Sequence, residues 1–440
     1  MLSKMRDLLE NNVFQEVQHM DGVNICKTIV DTVGTLLNNE TFVDAYRIGK
    51  AFTRSRKLSF QNLFFYLLNA SKKAMPIEIT NIRKNIPEIS FPRVTKQAVS
   101  KARGGISPEA FAEIFRITVS VYYQSCTQLR TWNGYLVHAT DGSDIQIPQT
   151  PENLTIFGGS SNQYSTYAMA SISTCYDVLN DIVVDAKFNR FCYGERKLAS
   201  MHIEGMECNG LKPNTLFVFD RGYPAYDLYA QIQSKGQFFL MRLVSNMHKN
   251  IKDGEVFEYH GWKKGAQPVT LRMIHVTLED GTTERLVTNI LDPTITPEMF
   301  KELYFLRWSI ECKYKEFKDR LELEEFTGCR PICIKQDFFI NMLKSNLSAI
   351  IKAEADMMIT KERIAKKNKY EYQANRGGII NGIHNCLVKL LCGLLDVVAT
   401  FEDIIEDAKY NRSQIQPDRK ASRKPRNTRR EHYYNRKPCM

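Results

Sequence analysis

The stretch TLFVFDRGYPAYDLYAQIQSKGQFFLMRL, from Thr215 to Leu243, constrains this chain more than any other. TLFVF is apolar without alternation, so a strand built from it has to be covered on both faces. An acid, a turn, a helical segment and a second apolar run, FFLMR, follow. Upstream, GYLVHATDGSDIQIP reads as a strand that ends in an acid and a turn. YAMASISTCYDVLNDIVVDAKFN reads as two strands joined at Leu179-Asn180-Asp181, and ERKLASMHIEGM as a helix. The order β-β-β-α-β-α-β predicts an α/β layer built on a mixed sheet.

Residues 243–292 break that rhythm. PVTLRMIHVTLEDGTTERLVTNIL alternates on either side of Asp280-Gly281, the signature of a hairpin, and predicts an inserted β unit. The flanks have helical texture. Residues 1–130 include FQNLFFYLLNAS, with a dense apolar stripe, and VTKQAVSKARGGISPEAF, a short polar-basic helix, a Gly-Gly break and a second helix started by Ser107-Pro108. That pattern suits a DNA-reading module with Lys101 and Arg103 on its surface, or a plain connector. Helical texture resumes at Thr296-Pro297 and runs through the opening of the third acidic segment, then from 331 to 408. The expected organisation is a helical region at 1–130, a core at 131–330 with its insertion at about 243–292, a helical region at 331–408 and a basic tail at 409–440.

The 440 residues carry a formal charge of +11 and a pI near 9.0, which points to an anionic partner, with nucleic acid first among candidates. From residue 411 onward ten lysines and arginines face two acids. RKASRKPRNTRR in that stretch has no apolar period and is expected to stay disordered. Eleven cysteines, without framework spacing, fit reduced thiols in a cytosolic protein. No membrane span and no leader-like apolar segment is expected.

Asp141 follows the apolar strand YLVHAT, and Asp220 follows TLFVF. Acids held directly after buried strands sit at the mouth of a sheet, where ligands bind. The third candidate lies in YFLRWSIECKYKEFK, from Tyr304 to Lys318. On a continuous helix turning about 100° per residue, Tyr304, Arg307, Trp308, Glu311, Lys315 and Lys318 share one face. Leu306, Ile310 and Phe317 form a separate apolar stripe. One reading is a solvated face with i,i+4 ion pairs; the other is a carboxylate set among phosphate-gripping cations. Three carboxylates can hold two divalent ions for in-line phosphoryl transfer, and hard oxygen ligands select Mg2+ or Mn2+.

The residues at this point resemble those of the DDE transposases of bacterial insertion sequences, and the insertion-sequence-four family in particular. That family carries Tyr, two residues, Arg, three residues, Glu, six residues, Lys on its last catalytic helix; Tyr304, Arg307, Glu311 and Lys318 match every spacing. DGSDIQIP resembles its first acidic segment and FDRGY its second. The resemblance implies a ribonuclease-H-like core with a β-rich insertion. Asp141, Asp220 and Glu311 would be the catalytic, metal-binding acids, holding two Mg2+ or Mn2+ ions. Tyr304, Arg307 and Lys318 would contact DNA phosphates near the cleaved end, with Lys315 on the same helix face; Trp308 and, in the insertion, Trp262 are weaker candidates. Asp144, three residues beyond Asp141, is a rival for the first acid. The implied activity is cut-and-paste transposition on double-stranded DNA, the element's terminal inverted repeats and its target, by a homodimer in a synaptic complex. A ribonuclease-H-fold nuclease or resolvase without strand transfer, and a domesticated DNA-binding protein, are the alternatives.

Overall fold

A computed structural model describes residues 22–206, 214–261, 265–278, 281–366 and 369–416. Residues 127–143 and 171–315 form one compact unit; residues 22–126, 144–170 and 316–416 form another.

The first unit is built on a mixed sheet. Its strands are β1 (Leu136–Gln146), β3 (Thr166–Asp177), β4 (Ile182–Arg190), β5 (Thr215–Phe219), β6 (Phe238–Arg242), β7 (Val256–Tyr259), β8 (Val269–Thr277) and β9 (Thr283–Thr288); the short β2 (Gly159–Ser161) pairs with the far end of β3. The spatial order is β3-β1-β5-β6-β9-β8-β7, with β4 on the other side of β3. Val178 N–H meets Val137 O, and Ile147 N–H meets Ala168 O, so β3 runs against β1. β5 and β6 run parallel to β1 in turn. Three antiparallel strands followed by two parallel ones is the ribonuclease-H-like arrangement.

The expected joint between β3 and β4 lies at residues 178–181. Asp177 closes it, its Oδ1 accepting from the N–H groups of Leu179 and Asn180, and Asp181 takes the left-handed conformation that a short polar side chain tolerates. TLFVF is buried along its whole length. Helices pack on other strands of its sheet: Glu195–Gly205 on β4, Tyr226–Ser234 on β6 and β8, and Pro297–Leu306 on β8. Tyr229 stacks on Phe239 with centroids 4.9 Å apart. The expected β insertion is present, with β8 and β9 paired antiparallel. It is also more than an appendage, because β9 pairs with β6 and carries the central sheet onward.

The second unit is helical. The helix Pro331–Lys366 runs through it, packed by the helices Gly22–Leu37, Pro108–Ser125, Arg376–Leu391 and Val397–Tyr410. Ser107 caps Pro108–Ser125 as its sequence suggests, accepting from Glu109 N–H with proline at the first helical position. Among the described residues no helix is long and apolar enough to cross a membrane. Most of the basic tail lies outside the described residues; its first part is ordered, with Lys409 and Tyr410 ending a helix and Ser413–Gln414 paired to Tyr372–Gln373.

Candidate active site

β1 and β5 lie side by side in parallel, with Ala139 opposite Val218. Two residues further along each strand come Asp141 and Asp220, so parallel register sets the two acids level at the same sheet edge. Asp141 is held by its backbone. Its carbonyl accepts from Ser173 Oγ at 2.9 Å and from Tyr314 Oη at 2.8 Å. Its carboxylate takes the Gly142 N–H at 2.9 Å. Burial pushes the Asp141 carboxyl up to about 6; the Gly142 N–H and Arg307 pull it down, and Glu195 and Glu311 push it up further.

Asp220 is more open. Burial works to raise its carboxyl, but the Arg221 N–H, Arg307, the Tyr304 hydroxyl and Arg242 outweigh it and hold the group below the usual carboxylate range. Tyr304 Oη donates to Asp220 Oδ1 at 3.1 Å, while Arg307 Nη2 and Arg242 Nη1 each stand 3.9 Å from it. Arg307 Nη2 also reaches Glu311 Oε1 at 3.4 Å. Arg307 thus stands among all three acids, and its guanidinium lies over the rings of Tyr304 and Trp308 at 5.7 and 5.4 Å.

The helix that carries this signature is not continuous. It ends at Leu306 and restarts at Ser309. In an unbroken helix Ile310 N–H would donate to Leu306 O. Instead the Ser309 hydroxyl takes that carbonyl at 2.7 Å, and Ile310 N–H turns to Arg307 O. Arg307 and Trp308 likewise donate three residues back, so the chain tightens by one turn. The shared-face expectation changes accordingly: Tyr304 and Arg307 are buried, whereas Trp308, Glu311 and Lys315 are exposed. Leu306, Ile310 and Phe317 form the buried stripe as expected. Lys318 lies further along the second helix, its Nζ donating to Asp144 O at 3.2 Å, and the Asp144 side chain is exposed.

Two expected DNA contacts part company. Lys101 is exposed. Arg103 is fully buried and spent within its own unit, bonding Gln336 Oε1, Thr327 Oγ1, Cys333 O and Asp337 Oδ1. It belongs to packing, not to a DNA-facing surface. Trp262 lies outside the described residues.

Residues that the sequence reading passed over complete the site. Arg242 ends β6, the neighbour of β5, and bridges toward Asp220 from a firm pair with Glu284 at 2.6 Å; its place at the end of FFLMR was the available signal. Behind Asp141 runs a buried relay in which Ser173 Oγ meets His202 Nε2 at 3.0 Å and His202 Nδ1 meets Asp185 Oδ2 at 2.7 Å. Lys187 pairs with Asp185 at 2.8 Å. Ser173 uses its one proton on Asp141 O, so His202 donates to it. The relay acts as a brace for the strand that carries Asp141.

Residues 132–347 match the family model of the transposase DDE domain. The chain is 24% identical over 330 residues to the transposase InsG of insertion sequence element IS4 from Escherichia coli K12, covering 68% of this chain and 71% of that protein. These two likenesses support an IS4-like DDE transposase. A putative transposase, y4zB, of Sinorhizobium fredii is 27% identical over 149 residues, covering 30% of this chain and 41% of that protein. A solved structure of the piggyBac transposase synaptic complex with hairpin DNA aligns over 90% of this chain and 85% of its own, with a TM-score of 0.42 and 11% identity. The likeness supports a part in DNA transposition, and DDE transposases generally use divalent metal ions.

Among the described residues, no three Asp, Glu, His or Cys side chains are gathered tightly enough to hold an ion as they stand. The donor set nevertheless fits a hard divalent cation. It offers carboxylate oxygens only, and Asp141 is raised in part by Glu195 and Glu311, a repulsion that a bound cation would relieve.

Proposed function

We propose that this transposase binds the terminal inverted repeats of its own insertion sequence and catalyses metal-dependent cleavage and strand transfer of DNA. The observation that carries the reading is the placement of Arg307 among Asp141, Asp220 and Glu311, with the first two acids level on adjacent parallel strands, Asp141 within β1 and Asp220 directly after β5. Asp141, Asp220 and Glu311 would hold two Mg2+ or Mn2+ ions, which when bound supply an activated attacking hydroxyl and a stabilised leaving oxygen. Arg307 and Tyr304 orient Asp220 and grip the phosphates beside the scissile bond. Lys315 and Lys318 contact the backbone of the same strand, and Trp308, exposed beside Arg307, stacks on an unpaired base. Lys101 and the helices of the first 130 residues contribute to end binding, two copies bridge two ends in a synaptic complex, and the basic C-terminal segment adds affinity independent of sequence.

The test uses a labelled element end and a plasmid target with Mg2+ or Mn2+. The wild-type chain nicks the end and joins the labelled 3′ end to the plasmid. Asp141→Ala, Asp220→Ala and Glu311→Ala each bind the end but lower cleavage about a thousandfold or more, on the order of 4 kcal/mol of barrier. Cleavage without joining would identify a nuclease of the same fold instead. Full cleavage by Asp141→Ala, with loss in Asp144→Ala, would move the first acid to position 144.

A further inference from the structure

The two acid-bearing segments share a feature that the triad does not explain. Asp141 is followed by Gly142, and Asp220 is followed two residues later by Gly222. A Cβ on Gly142 would lie 3.3 Å from Glu195 Cγ and 3.5 Å from its Oε1; a Cβ on Gly222 would lie 3.4 Å from Glu195 Oε2. One carboxylate therefore lies against both glycines, one on β1 and one in the turn after β5, and both leave room for it. Glu195 opens the helix Glu195–Gly205, which follows β4 and arrives from a different part of the chain than the other three acids.

A second observation places a polar demand beside that carboxylate. Tyr223 closes the Asp220 turn, its N–H donating to Asp220 O at 3.1 Å. Its side chain is 1% exposed, and its hydroxyl has no hydrogen-bond partner among the described residues. Burial first, then Asp141, Glu195, Tyr314 and Asp220 keep that hydroxyl protonated. A buried hydroxyl with no partner beside these carboxylates fits a hydrated cation, whose bound water would donate to the hydroxyl oxygen.

We propose that Glu195 is a fourth carboxylate of the metal site, binding one divalent ion directly or through its water between Asp141 and Asp220. This rests on the proposed metal-dependent reading of the same site. The bland role for an acid in the first turn of a helix is to favour the helix dipole. The two roles separate by reach, because Glu195→Asp keeps the charge at the helix start and withdraws the carboxylate by one methylene.

The experiment titrates Mn2+ into the full chain, reading free Mn2+ by electron paramagnetic resonance, and maps iron-generated hydroxyl-radical cuts in the backbone; melting without metal checks the fold. Wild type is expected to bind Mn2+ and to be cut near residues 141, 195 and 220. Glu195→Gln and Glu195→Asp are expected to melt like wild type, bind Mn2+ roughly 10- to 100-fold more weakly, and lose the cut near residue 195. Asp141→Asn is expected to abolish tight binding. If both Glu195 variants bind as wild type while Asp141→Asn does not, the fourth-ligand proposal is wrong and the metal reading stands. If wild type binds no Mn2+, both fall. Should Glu195→Gln melt early, Glu195→Asp with normal melting and normal Mn2+ affinity also overturns the proposal.

Discussion

Two buried arginines, one in each compact unit, are treated in opposite ways. Arg103 makes four hydrogen bonds between 2.6 and 3.0 Å, one of them to the carboxylate of Asp337. Arg307, 4% exposed, reaches its acids only at 3.4 and 3.9 Å and leaves its Nε without a partner. The first guanidinium is engaged at all three nitrogens and geometrically fixed, as a residue that organises packing should be. The second is held near three carboxylates without committing to any, so its donors stay available for a phosphate. Engagement of the donors, not burial, separates the two cations.

The comparison breaks most visibly through stability. Arg103→Leu would leave Asp337 charged and unpaired in the interior, at an expected cost of about 3–5 kcal/mol. Chemical denaturation measures it, and pairing the change with Asp337→Leu should recover much of the loss. Arg307→Gln should alter folding stability by less than about 1 kcal/mol, since Asp220 and Glu311 are partly exposed and solvent can screen them. Its cleavage rate should nevertheless fall on the order of 100-fold. If instead Arg307→Gln unfolds and Arg103→Leu melts normally, the contrast is false.

Two histidines sharpen the same point with pH. His202 is engaged at both nitrogens, whereas His138, on β1 and fully buried beside Phe217, has neither nitrogen hydrogen-bonded; Asp177 stands 3.9 Å away, too far for a bond. Burial holds His138 down at about 3, against an ordinary value near 6.5. The folded state therefore resists protonation. The stability it contributes is complete above pH 6.5 and is lost as pH falls from there toward 3, by at most about 1.4 kcal/mol per pH unit. His384 in the other unit is also lowered to about 3, by Lys344 first, then burial and Lys72, and adds to the same window. Denaturation midpoints for His138→Leu across pH 4–7 should keep only part of the wild-type slope. An unchanged slope would mean that His138 is not protonated on unfolding in that range.

Much of this was legible in the sequence, for identifiable reasons. Asp141 and Asp220 could be found because each ends a run of buried strand residues, and Glu311 because four side chains hold a fixed spacing. Ser107 and Thr296 announced helix starts through local bonding. What was hidden depended on distant partners. Arg103 looks like any cation on a short basic helix until Asp337, 234 residues away, folds against it. The tightened turn at Arg307 hinges on one serine hydroxyl outcompeting a backbone N–H. The hairpin of β8 and β9 is local, but its pairing with β6 is not. Glu195 carries no spacing signal, because its neighbours are two glycines on other elements.

The smallest effects test whether the rule extends from cations to hydroxyls. Tyr314 and Tyr304 belong to the same segment and face the two strand-end acids differently. Tyr314 Oη accepts from Thr174 N–H at 3.0 Å and donates to Asp141 O at 2.8 Å, fully inside the unit. Tyr314→Phe strands a buried N–H and should cost about 1–3 kcal/mol of stability. Tyr304 makes one hydroxyl contact, at 3.1 Å, to a carboxylate that is 36% exposed. Tyr304→Phe should leave stability within about 0.5 kcal/mol and slow cleavage by roughly 5- to 10-fold, the equivalent of one hydrogen bond of about 1 kcal/mol. Melting curves and single-turnover cleavage on the same preparations decide it. A Tyr304→Phe protein that loses stability but cleaves at the wild-type rate would return Tyr304 to the core and leave Arg307 alone in gripping the DNA end.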